Sequence, residues 1–240
     1  MAIVAKMPAA GRCKTRLVPP LTFDQAAKLS RCFLIDTAHN VADVAAKCGA
    51  IPVAVYTPAA SEGTRDAIFG GTFCYVRQRG DDFGQRLCNA VTDLFESGFG
   101  SVCLIDSDSP TLPPAYLALA VERLHLPGER VVIGPALDGG YYLIGLQRPT
   151  PELFHGITWS TSEVFEQTRE RARSAGIPTD VLPPWYDVDD GFGLEKLKEE
   201  LRVLPTAKAY AADATRAFLG IPEQRNTSRS QYATVAGGAE

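Results

Sequence analysis

The sequence predicts an α/β fold: one unit over residues 1–222, with a mostly parallel sheet and helices on both faces. Three observations predict it. Short apolar runs alternate with segments whose apolar residues recur at helical spacing, as in strands joined by crossover helices. Ser101-Val102-Cys103-Leu104-Ile105 is almost wholly apolar, as a strand buried on both faces must be. That run stops abruptly at charged residues, and open α/β sheets bind ligands in the crevice outside the carboxyl ends of their strands.

Composition narrows the function classes. The 240 residues are 45% hydrophobic, enough for a sizeable core, and carry a formal net charge of −4. A nucleic-acid protein would ordinarily show a basic surplus. No run approaches the ~18 apolar residues of a membrane span, and the amino terminus lacks the basic flank of a leader. A cytoplasmic protein with neither nucleic acid nor membrane as partner is expected. Six cysteines without a CxxC pair and three distant histidines suggest neither a zinc site nor a disulfide framework.

Ala2-Ile3-Val4-Ala5 reads as the first strand. The loop behind it holds four cations, Lys6, Arg12, Lys14 and Arg16, and no acid. Like charges so close repel unless solvent or a ligand screens them. A polyphosphate would do so: Gly11 permits a tight backbone approach, Lys14 and Arg16 offer donors to phosphate oxygens, and Thr15 adds a hydroxyl. A solvated basic loop is the alternative, and a Walker A loop is not, since GxxxxGK[ST] is absent. From Phe23 to Lys47, Ala27, Leu34, Ala38, Val41 and Ala45 mark a long helix that Gly49 ends. Strands follow over 51–56 and 72–77, with a short helix over 61–69 between them. The turn from Gln78 to Arg86 then enters a helix carrying Leu87, Val91, Leu94 and Phe95. Gly80, Gly84 and Arg86 suit a nucleotide base or phosphate there, although turns are rich in glycine regardless.

The chain is organised around Ile105-Asp106-Ser107-Asp108-Ser109-Pro110. Carboxylates at i and i+2, where a strand breaks, can both turn toward one divalent cation; a cap for the helix starting near Pro113 is the alternative. Leu117, Ala120, Val121 and Leu124 mark that helix, and a strand over 130–134 follows. Asp138-Gly139-Gly140-Tyr141 is then either a hairpin turn or backbone brought close to a ligand, leading into a strand over 141–146. Trp159-Ser160-Thr161 precedes a helix from Ser162 and supplies its cap or the lip of an acceptor site. A last strand over 178–183 leads to Asp187-Val188-Asp189-Asp190 and a helix with Leu194, Leu197, Leu201 and Leu204. Asp187 or Asp189 can complete the site begun at Asp108, because distant strand ends converge on one crevice. Acids favoured by the helix macrodipole are the alternative. A helix over 207–219 closes the fold, and 223–240 reads as a disordered tail.

Taken in order, Lys6 to Arg16, Gly80 to Arg86, Asp106 to Pro110, Asp138 to Leu146, Trp159-Ser160-Thr161 and Asp187-Val188-Asp189 form a series that resembles a bacterial family of small GT-A-like transferases. That family is labelled as glycosyltransferases of arsenosugar-type pathways, and the likeness covers about residues 2–204. The amino-terminal part is also similar to phospholactate guanylyltransferase and, more distantly, to the molybdenum-cofactor nucleotidyltransferases. The resemblance implies a GT-A-like, Rossmann-like domain with a nucleotide across the amino-terminal half of the sheet, its phosphates near Gly11, Lys14 and Arg16. It implies Mg²⁺ or Mn²⁺ held by Asp108 and an acid of the 187–189 stretch. Asp106, where the family has a small residue, makes a literal DxD and weighs toward glycosyl transfer.

Two reactions remain open. In nucleotidyl transfer, an acceptor oxygen attacks the α-phosphorus of a nucleoside triphosphate and pyrophosphate leaves; a phosphorylated acceptor then needs no base. In glycosyl transfer a hydroxyl attacks the anomeric carbon of a nucleoside diphosphate sugar, and inversion calls for a carboxylate base, for which Asp138 is the candidate. Four cations suit a triphosphate, which puts nucleotidyl transfer slightly ahead. Lys14, Arg16, Asp108 and Asp138 are the expected catalytic set, and Gly139, Gly140, Tyr141, Trp159, Ser160 and Thr161 the acceptor side. Asp106, Asp108, Asp187 and Asp189 are the candidate metal ligands. The partners are a nucleotide or sugar-nucleotide donor and a small-molecule acceptor, and a homodimer stays open. A nucleotide-binding scaffold without chemistry is disfavoured, because concentrated charge costs stability.

Overall fold

The computed structural model describes residues 1–57, 62–203 and 212–222. Its strands are β1 (Ala2–Ala5), β2 (Val53–Tyr56), β3 (Cys74–Arg77), β4 (Val102–Ile105), β5 (Val131–Pro135), β6 (Tyr141–Leu146) and β7 (Thr179–Val181). They form one seven-stranded sheet in the order β3-β2-β1-β4-β6-β5-β7. Neighbours are parallel except at β6, which runs against both β4 and β5. Only residues 136–140 join β5 to β6, too few for the crossover that a parallel pair requires.

The period-two alternation of each strand divides its side chains between two helical layers. Helices α1 (Phe23–Cys48), α2 (Glu62–Phe69) and α4 (Pro114–His125) cover the face that receives Ile3, Ala5, Ala54, Cys103 and Ile105. On the other face, α3 (Phe83–Glu96) and α5 (Val164–Ser174) cover Ala2, Val53, Val55, Val102 and Leu104. β4 is buried at every position, as its unbroken apolar run requires. Each such Leu or Ile side chain contributes roughly 1.5–3 kcal/mol by leaving water.

Local chemistry sets the ends of α1. The Thr22 side chain accepts from the Gln25 N–H at 3.2 Å, and the Gln25 carboxamide oxygen accepts from the Thr22 N–H at 2.8 Å. Gly49 closes the helix at φ 66°, a conformation that glycine adopts without steric cost. Helices α6 (Gly191–Val203) and α7 (Asp213–Leu219) pack on the first half of α1 through Leu29, Phe33, Leu194 and Leu197. The buried Asp36 carboxylate of α1 accepts from the backbone N–H groups of Ala214 and Thr215 at 2.9 and 2.8 Å, fixing the start of α7. The expected helix over 207–219 is described only from residue 212. Ser61, Leu204 and the tail 223–240 lie outside the described residues.

Candidate active site

Between β1 and β4 the strand order reverses, since the chain leaves β1 toward β2 on one side and returns as β4 on the other. The carboxyl end of that seam is where a crevice opens in such sheets. There the structure has a cleft of about 530 Å³, lined by Val4 of β1, Leu104 and Ile105 of β4, and five carboxylates: Asp106, Asp108, Asp138, Asp187 and Asp189. Asp106 and Asp108 arrive directly from β4. Asp187 and Asp189 come from beyond β7, along a path fixed by backbone hydrogen bonds. Trp185 N–H donates to Pro135 at 3.1 Å, Leu137 N–H to Trp185 at 2.9 Å, and Val188 N–H to the Asp108 carbonyl at 3.0 Å. The last bond ties the two acidic stretches together.

Lys14 binds them a second time. Its Nζ lies 2.5 Å from Asp108 Oδ1 and 2.8 Å from Asp189 Oδ1, and its side chain is only 4% exposed. The Phe33 ring lies beneath it, 5.5 Å from Nζ to the centroid. Burial alone would push the ammonium pKa down, but the two carboxylates outweigh it and the net shift is upward. Lys14 therefore stays charged. Its backbone sits at φ 49°, ψ 38°, a left-handed conformation that a side-chain-bearing residue adopts only when its surroundings impose it.

The other acids behave differently. Asp106 accepts from Ser109 Oγ at 2.9 Å. Burial first, and then its neighbour Asp108, push its pKa well above the usual carboxylate range. Burial, Asp138 and Asp189 together raise Asp187 to about 6. Asp138 is exposed and accepts from the Gly140 N–H at 2.8 Å. The alternatives left open for Asp138-Gly139-Gly140 thus merge: the segment is a hairpin turn between antiparallel strands, and it also lines the cleft.

An aromatic wall faces the acids. Phe83 and Trp159 meet edge to face at 5.1 Å, and Tyr141 joins Trp159 at 6.4 Å. Tyr141 Oη is buried with no hydrogen-bond partner among the described residues. Glycines let these pieces approach. A Cβ at Gly84 would lie 2.5 Å from Trp159 Nε1, and one at Gly139, where φ is +93°, would lie 2.2 Å from the Ser162 carbonyl oxygen. The Phe165 N–H donates to the Gly139 carbonyl at 2.8 Å, locking the hairpin turn to the first turn of α5.

The structure brings Arg16, Asp106, Asp108, Asp138, Gly140, Tyr141, Trp159, Ser160, Thr161, Asp187 and Asp189 to the cleft. Lys14 lies behind two of those acids. Lys6, Gly11, Thr15, Gly80, Gly84, Arg86 and Gly139 do not line it. Gly84 is buried against Trp159, and the Arg86 guanidinium lies over the Phe83 ring at 5.9 Å. Phe83, Leu87 and Tyr142 of the cleft, and Ser109 beside it, had no site role in the sequence. Phe83 stood inside the quoted turn as the aromatic residue opening a helix, and Ser109 three residues past Asp106 had the spacing of a side-chain partner.

Divalent cations of the Mg²⁺ type take one or two carboxylates and complete their shell with water and phosphate oxygens. Among the described residues no group of three or more His, Cys, Asp or Glu side chains forms a cage of its own. Asp108 and Asp189, which already share one cation, fit the smaller requirement with hard oxygen donors. Among the described residues no helix is long and apolar enough to cross a membrane.

Comparison with known proteins agrees with this architecture. The family model described as "Uncharacterized protein conserved in bacteria (DUF2064)" matches residues 40–161. The chain belongs to this family. Over 92% of the chain and 94% of its counterpart, it is 30% identical, with a TM-score of 0.79, to a Desulfovibrio desulfuricans G20 protein described as a "putative nucleotide-diphospho-sugar transferase". This DUF2064 protein also shares its fold with a cytidylyltransferase from Leptospira borgpetersenii serovar Hardjo-bovis, at 13% identity and a TM-score of 0.53 over 91% and 92% of the two chains. A CMP:2-keto-3-deoxy-manno-octonic acid synthetase complexed with CTP matches at 14% identity and a TM-score of 0.50, over 82% and 95%. The last two likenesses are of fold alone, and they bear out the expected GT-A-like class. No curated protein matches the chain.

Proposed function

We propose that this protein is a metal-assisted transferase, built on residues 1–222, that moves a glycosyl group from a nucleoside diphosphate sugar to a small hydroxyl-bearing acceptor. One observation carries the reading: five carboxylates and an aromatic wall line the cleft, with Arg16 as its sole lining cation among the described residues. Such a cleft disfavours an acceptor that brings its own phosphate, since like charges repel in a confined site. It suits a sugar, which offers hydroxyls to carboxylates and an apolar ring face to Trp159. The likeness to the Desulfovibrio desulfuricans protein supports the same class of donor.

The roles follow from position. Arg16 and Lys14 lie toward the donor diphosphate, with the amino-terminal loop completing that side. Asp108 and Asp189 would hold the divalent cation, with Asp106 and Asp187 beside them. A bound Mg²⁺ or Mn²⁺ would offset the charge growing on the departing diphosphate. Asp138 is the base for the acceptor hydroxyl; it lines the cleft and spends one carboxylate oxygen on the Gly140 N–H, leaving the other for a proton. Gly139, Gly140, Tyr141, Trp159, Ser160 and Thr161 form the acceptor side.

Nucleotidyl transfer remains a second reading because Lys6 and Arg12, exposed in the amino-terminal loop, could engage a third phosphate. They stand outside the cleft lining, however, so of the four cations that weighed toward a triphosphate only Arg16 lines the cleft, with Lys14 behind two of its acids. Incubation with nucleoside diphosphate sugars or nucleoside triphosphates, Mn²⁺ and a set of hydroxyl acceptors separates the two. The proposal expects release of a nucleoside diphosphate from one sugar nucleotide. Pyrophosphate release from a triphosphate would replace it with nucleotidyl transfer.

A further inference from the structure

Lys14 is an unusual cation for a phosphate-binding loop, because it is already engaged by two carboxylates. Its Nζ contacts Asp108 at 2.5 Å and Asp189 at 2.8 Å, with 4% of its side chain exposed. The two carboxylates cannot easily spread apart, since the Val188 N–H, one residue before Asp189, donates to the Asp108 carbonyl at 3.0 Å and ties the two stretches together. The lysine is just as constrained: its backbone is left-handed at φ 49° and its ammonium stands over Phe33. A position that costs conformational energy persists when many contacts over-determine it. The acids, the loop and the ring are together arranged to hold one positive charge between two carboxylates.

We propose that Lys14 occupies the divalent-cation position between Asp108 and Asp189 and holds it against free metal until donor phosphates draw the ammonium away. A divalent ion and the ammonium compete for the same two oxygens. They become compatible only when a diphosphate supplies further negative charge, onto which Lys14 can swing while the metal takes the acids. Metal loading is thereby made conditional on the donor. The inference rests on the metal-assisted reading above and is indifferent to whether the donor is a sugar nucleotide or a triphosphate.

Because the competition exists without any nucleotide, the test uses Mn²⁺ alone. Mn²⁺ affinity is measured by electron paramagnetic resonance of the free ion, and thermal midpoints are recorded with and without Mn²⁺, for wild type, Lys14→Met and Lys14→Arg. Lys14→Met is expected to bind Mn²⁺ at least about tenfold more tightly than wild type, because no ammonium opposes it. Mn²⁺ should restore the midpoint that Lys14→Met loses, while wild type and Lys14→Arg barely respond. A lysine that merely glues the loop would also lower the midpoint when removed, but Mn²⁺ would not repair it. Equal Mn²⁺ affinity in wild type and Lys14→Met, with no Mn²⁺-dependent rescue, overturns the proposal. Lys14→Gln serves the same comparison should the methionine variant fail to fold. Failure of the sugar-nucleotide reading would appear only in the donor and product assays and would leave this outcome unchanged.

Discussion

Asp106-Ser107-Asp108 follows a strand buried at every position, whereas Asp187-Val188-Asp189 follows a three-residue edge strand and a pair of prolines. Both nevertheless present their second acid to Lys14 and hold their first among other carboxylates, with its pKa raised. The difference is in what fixes them. The sheet itself aims the first pair, so its placement follows from β4 alone. The second pair is aimed by backbone hydrogen bonds to the β5–β6 turn and to Asp108, so it depends on neighbours distant in sequence. Equivalent acids can thus be positioned by a rigid element or by a loop that borrows rigidity.

The division into cation-holding and outer acids is broken most directly at Asp108. Asp108→Asn should lower kcat/KM by about 10²–10³, the range for removing a group that stabilises transition-state charge, while Asp106→Asn should cost less than about tenfold. Steady-state kinetics on the two variants checks this, and equal losses would erase the distinction. Arg16→Ala should raise the donor KM about tenfold, the effect of losing roughly 1.4 kcal/mol of binding. Lys6→Ala and Arg12→Ala should each change it less than about twofold; a larger effect would extend the donor site onto the exposed part of the loop.

The borrowed rigidity of the second pair is sharpened at Gly139. Gly139→Ala must place a methyl 2.2 Å from the Ser162 carbonyl at φ +93°, so we expect a loss of about 2–3 kcal/mol in chemical denaturation. The smallest effect concerns the pKa of Asp187. Its carboxyl rises from 3.8 to about 6 on folding, so between those values the native state holds more protons than the unfolded chain. Stability therefore falls as pH rises through that window and levels off above it. Asp187→Asn should flatten this part of the curve and leave the protein modestly more stable than wild type at pH 7, as denaturation at a series of pH values would show. An unchanged pH profile would mean that Asp187 is not buried beside Asp138 and Asp189 in solution.

Much of the fold was legible because burial writes itself into sequence. The apolar run 101–105 gave β4, and Gly49 gave the end of α1, whereas the Thr22–Gln25 pair that caps its start emerged only from the structure. The site was legible where chemistry interrupts such a run, as at Asp106 and Asp108. It was less so where long-range contacts decide. The four cations of the first loop looked equivalent in sequence, yet only the tertiary position of Asp189 and Phe33 separates the buried Lys14 from the exposed Lys6 and Arg12. Gly84 carried the signal of a ligand loop, but its missing side chain makes room for Trp159, 75 residues away in the chain. The reversal at β6 followed from the shortness of the 136–140 connection, whose residues also fit a ligand turn.

If the two acidic stretches share a cation-dependent donor site, ligand binding must depend on both the metal and Asp108, which a thermal-shift panel reads out. Wild type and Asp108→Asn would be scanned with nucleoside diphosphate sugars and nucleoside triphosphates, each with and without Mn²⁺, since a ligand that binds only the folded state raises the midpoint according to its affinity. One nucleoside diphosphate sugar should raise the wild-type midpoint only when Mn²⁺ is present, and should leave Asp108→Asn unmoved. Stabilisation by triphosphates alone, or an equal shift in Asp108→Asn or without metal, would contradict the account.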